Sequence, residues 1–196
     1  MKKFFTLIVA TLMASSMMAQ MHGAMTFAGA SSVNVLTQNT GNACDTVRFE
    51  MASMSAGNIT LPVMQGMAAI PSFTIENVAF SKGENHVISI AEQTFTSKVT
   101  VNGEEKNIEG SSISGSYNMA DNSLTLKAVF KYGSMPFDLT YEVKAYYVKP
   151  VASAITVNVG GTFIYGNDGV TYNVRKYIDG DAEKVDVEIP TYTLDN

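Results

Sequence analysis

The 196-residue chain has one cysteine, Cys44, no tryptophan, two histidines and two arginines. A lone cysteine forms no internal disulfide, so stability has to come from a buried core. The histidines are His22 and His86, which leaves little to act as an imidazole base in nucleophilic catalysis. His22 lies just past the leader, and His86 reads as a polar residue at the start of a strand. The sequence also lacks a nucleophile elbow, a paired-histidine zinc motif and a phosphate-binding loop. The acid pairs Glu104/Glu105 and Asp179/Asp181 fall in turn-like stretches, where a solvated surface explains them better than paired-carboxylate catalysis. These gaps disfavour an enzyme, and nothing in the sequence requires a cofactor.

Long apolar runs are scarce as well. The run from Phe4 to Met13 is too short for a membrane helix, and no later stretch approaches the roughly 18 to 20 apolar residues that a span needs. It follows Lys2 and Lys3 and precedes small residues at Ala14 to Ser16, which is the layout of a secretory signal peptide over residues 1–19. Export to the periplasm, the cell surface or the medium is therefore expected. Of the 13 basic side chains, Lys2 and Lys3 leave with the leader, so 11 face 18 acidic ones. An acidic surface with two arginines repels phosphate backbones and argues against nucleic-acid partners.

What the sequence does have is alternation. "SLTLKAVFKY" puts Leu124, Leu126, Ala128 and Phe130 on one face and Thr125, Lys127, Val129 and Lys131 on the other. "PFDLTYEVKAYYV" sets Phe137, Leu139, Tyr141, Val143, Ala145 and Tyr147 against Asp138, Thr140, Glu142 and Lys144. Each reads as a strand with one dry face. Turn chemistry punctuates the chain at 102–107, 119–123, 132–136, 166–169 and 179–181. No amphipathic helix is expected after the leader, although 63–69 could form one helical turn. The expected fold is all-β, with eight or nine sequential strands between Thr26 and Lys149. Closure into an up-and-down barrel of about eight strands would hide the edges, with a two-sheet sandwich as the alternative.

Two local patterns stand out. "IPSFTIEN" at 70–77 returns as "IPTYTLDN" at 189–196, identical at four of eight positions and conservative at the rest. Aligning them lays the stretch that begins "AITVNVGG" over the one that begins "SSVNVLTQ". The organisation read from this is a barrel over 20–149, a linker at 150–153 and the leading part of a second β repeat over 154–196. That repeat would either continue in a longer protein or pack on the first barrel. The second pattern is methionine: Met51 and Met54, then Met64 and Met67. Thioethers can bind Cu(I), but without a histidine or cysteine beside them they read as fillers of apolar space. Tyr117, Tyr141, Tyr146 and Tyr147 likewise read as strand-forming core residues before they read as a sugar platform.

The opening strand "TFAGASSVNV", the segment "NITLPVMQGMAAIPSFTIENV" and the hairpins "ISGSYNMADNSLTLKAVFKYGSMPFDLTYEVKAYYV" together resemble the calycin-like, or lipocalin-like, β-barrel domains exported by Bacteroidota. The resemblance covers residues 26–149. It implies an eight-stranded barrel without an established catalytic role, and it transfers no functional residue. If such a barrel encloses a lumen, Leu124, Leu126, Phe130, Phe137, Leu139, Tyr141, Met64 and Met67 are the candidates to line it. The expected ligand is a small apolar or amphipathic molecule. The alternative function is a structural or adhesive module with a packed barrel and no ligand.

Overall fold

The structure, a computed structural model, describes residues 24–65, 69–83, 86–179 and 182–188. Its strands are β1 (Ala24–Val35), β2 (Gln38–Met51), β3 (Ala56–Leu61), β4 (Phe73–Ala79) and β5 (Ser81–Lys82). They continue with β6 (Val87–Val101), β7 (Glu104–Asn118), β8 (Ser123–Tyr132), β9 (Leu139–Val159), β10 (Thr162–Asp179) and β11 (Ala182–Glu188). All pairings are antiparallel, and no helix occurs among the described residues. Met64 and Ile70 face each other in a single bridge, so the described part of 63–69 is extended rather than helical.

The strand order in the sheet is β4-β3-β2-β1-β9-β8-β7-β6-β5. Its first and last members, β4 and β5, are separated in the chain by Phe80 alone, so the sheet curls round on itself. The result is the expected barrel, nearly closed, with eight staves when β4 and β5 are counted as one. Alternation drives the curl: β1 buries Met25, Phe27, Val33 and Val35, and β8 buries Leu124, Leu126, Ala128 and Phe130. Glycine permits the tight bends. A methyl group on Gly29 would collide with the Lys144 carbonyl oxygen on β9, and the β1–β2 register shifts between Gly29 and Ser31.

Residues 150–153, read as a linker, lie inside β9, which pairs with β1 and β8 in its first half and with β10 in its second. Pro150 is paired only with Asn173 of β10, so its missing N–H interrupts no ladder on the other side. The expected turn at 166–169 is also strand; Gly166 pairs with Thr156, and a register shift between Asn167 and Val170 takes up Asp168 and Gly169 as a bulge in β10. Each "VNV" ends in a two-residue turn, at Leu36–Thr37 and at Gly160–Gly161. Arg175 on β10 donates to the Ala28 carbonyl at 2.9 Å and pairs with Asp186 on β11. Residues 1–23, which hold the expected leader, and residues 189–196, the second copy of "IPSFTIEN", lie outside the described residues.

Candidate functional site

The inward positions of the eight staves converge on one apolar cluster. Leu124, Leu126, Phe130, Leu139, Tyr141 and Met64 are buried in it, and Phe137 packs against it half-buried at one rim. Met67 lies outside the described residues. The lumen candidates therefore do meet, but they meet one another. Phe130 on β8 contacts Phe73 on β4 edge to face, with ring centroids 5.3 Å apart, although two strands separate them in the wall. Towards the other end, Phe27 on β1 and Tyr117 on β7 make the same kind of contact at 5.0 Å, again across two intervening strands. An eight-stranded barrel is just wide enough for side chains to fill it, and aromatic rings reaching across its bore do so here. Met64 and Ile70, bridged to each other, are buried in the same cluster.

One polar cluster is built into this interior. Asp45 on β2 is buried and accepts hydrogen bonds from the Ser31 hydroxyl and the Asn42 side-chain amide. The Tyr141 hydroxyl lies 3.5 Å from the same carboxylate. Ser31 sits where the β1–β2 register shifts, opposite the extra residue that β2 carries at Ala43–Cys44, so the cluster spans that bulge. Burial first, and the Asp45 carboxylate second, push the Tyr141 hydroxyl well above the ordinary tyrosine range. A buried carboxylate with its donors in place stabilises the wall.

The outer surface is different along one line. Between β4 and β6 the wall has no backbone ladder among the described residues, and side chains of β6 bridge the gap. The Gln93 amide donates to the Ala79 carbonyl and accepts from the Ala79 N–H, both at 2.8 Å, and the Ser97 hydroxyl donates to the Thr74 carbonyl at 2.7 Å. Irregular backbone on both strands explains the missing ladder. Asn77 takes a positive φ of 55°, and β6 shifts register on both sides of Gln93. A cleft of about 860 Å³ runs beside this seam, with Thr74 and Glu76 on one bank and Thr96, Lys98 and Thr100 on the other. Nothing in the sequence marked Gln93 or Ser97, because bulges break the period-two pattern that makes strand pairing readable.

The remaining candidates are scattered. Met51 lies at one end of β3, where it pairs with Gly57, and Met54 is 75 % exposed in the adjoining turn. Met64 is buried beyond the other end of β3, roughly 17 Å away at strand rise. Met51 and Met54 therefore lie at the opposite end of β3 from Met64. His86 is an exposed turn residue, and Glu104 and Glu105 pair with Lys106 and Lys98 on the surface.

No protein-family model and no curated protein matches the chain. Among solved structures it is similar to the crystal structure of a Bacteroides fragilis protein assigned provisionally to the outer membrane. The two share 20% identity with a TM-score of 0.49 over 64% of this chain. The chain spans half the length of that protein, covering 50% of it.

Proposed function

We propose that the chain is an exported, non-enzymatic barrel of the calycin-like type, packed solid, which works as a structural or adhesive module through its outer surface. The observation that carries this reading is the pair of ring contacts across the bore, Phe73 with Phe130 and Phe27 with Tyr117. A small apolar ligand would need space that these rings occupy. The acidic balance of 18 carboxylates against 11 basic groups after the leader fits a soluble face that avoids anionic polymers. Residues 1–19 supply the export signal in this reading. Native mass spectrometry of the purified protein, before and after exposure to a panel of fatty acids and bile acids, tests it. The protein alone is the expected species, and a stoichiometric complex with any panel member would overturn the reading.

A further inference from the structure

We infer that the seam between β4 and β6 is a docking edge for an extended peptide strand from a partner protein. Every other junction of the barrel is a backbone ladder, such as the β6–β7 pairing from Val87↔Asn118 to Val101↔Glu104. At the seam the backbone ladder is confined to β5, where Ser81 and Lys82 pair with Ser89 and Ile88, and along β4 three hydrogen bonds from two side chains take its place. The chemistry of the Gln93 bridge identifies the occupant. Its carboxamide offers one donor and one acceptor to the two backbone groups of Ala79, as the peptide group of a neighbouring strand would. A strand entering the seam replaces those side chains with ladder bonds on both of its edges, the mode of recognition known as strand addition.

The walls of the seam also set the sequence of the guest. Phe73 and Ile75 on β4, and Phe95 and Val99 on β6, are buried on the inward side. Thr74, Glu76, Thr96 and Lys98 line the cleft on the outer side. The fitting partner is a segment with apolar residues at alternate positions and small or hydroxylic residues between them. This inference rests on the reading of the barrel as a module that works through its surface, and it names the class of partner.

The test is an anisotropy titration of the whole protein with a fluorescent peptide, SFTIENVA, which copies residues 72–79. Saturable binding is expected, and Gln93→Ala should tighten it by about ten-fold, because loss of the bridge raises the population of the open seam. Ser97→Ala should act in the same direction and keeps the test decisive if Gln93→Ala fails to fold. The inference is overturned by absence of saturable binding, by equal binding of a scrambled peptide, or by an affinity that neither substitution changes. A lipophilic dye titrated into the same samples reports on the bore separately. Dye uptake would contradict the packed-barrel reading and leave the peptide result to stand or fall by itself.

Discussion

Gln93 and Ala79 are joined by two hydrogen bonds of 2.8 Å, one in each direction, in which a side chain does the work of a strand. The consequence is a wall with one weak line. Each such bond contributes about 0.5–1.5 kcal/mol net, so Gln93→Ala should cost about 1–2 kcal/mol in urea unfolding. Amide exchange by mass spectrometry should show the loss locally, with β4 exchanging faster in the variant and the β7–β8 ladder unchanged. Uniform acceleration across the barrel would mean that the seam opens only when the whole molecule does.

Asp45 should behave as a structural carboxylate. Asp45→Ala strands the Ser31 hydroxyl in the wall and removes the acceptor for Asn42, which should lower stability by about 2–3 kcal/mol. Tyr141→Phe should cost less than about 1 kcal/mol, since its hydroxyl is 3.5 Å from the carboxylate and the ring keeps its packing. Chemical denaturation of both variants checks the order, and a larger loss for Tyr141→Phe would reverse the assignment.

Alkaline pH should unfold the barrel through its tyrosines. Burial, with Tyr147 and Asp121 adding to it, pushes the Tyr117 hydroxyl up to about 12 from an ordinary 10.0. Tyr141 moves in the same direction. Both groups hold their protons more tightly in the folded chain than in the unfolded one. Their contribution is therefore complete below pH 10 and is lost as pH rises from 10 towards 12. Urea midpoints measured from pH 8 to 11.5 should stay level and then fall, and Tyr117→Phe should make that fall shallower. A slope untouched by the substitution would remove Tyr117 from the account.

The parts of this fold that the sequence discloses are those where pairing is regular. The alternation in 124–130 and 137–147 marks the buried faces of β8 and β9, and turn residues such as Asn102–Gly103 mark true hairpin ends, both with positive φ. Irregular pairing hides the rest. Pro150 with small neighbours reads as a linker, yet an unpaired strand edge accepts proline, so β9 runs through it. Gly166 and Gly169 read as a turn, yet Gly166 stays in register and Gly169 lies in a bulge of β10. Burial pattern alone cannot tell a lumen from a solid core, because both need the same alternation of apolar residues. What decides is whether Phe130 and Phe73 reach each other, a distance set by the strand order.

Phe130 stands at the centre of the filled bore, in contact with Phe73 and Phe95, and is the residue to remove. Phe130→Ala should cost about 3–5 kcal/mol and leave a dry apolar cavity beside Phe73 and Phe95. Thermal unfolding with and without saturating benzene is the most direct measurement. Benzene should raise the midpoint of Phe130→Ala, because it binds the folded variant alone, and should leave the wild-type midpoint where it was. A rise in the wild-type midpoint of equal size would show that the barrel already holds an empty lumen and that its bore is not filled.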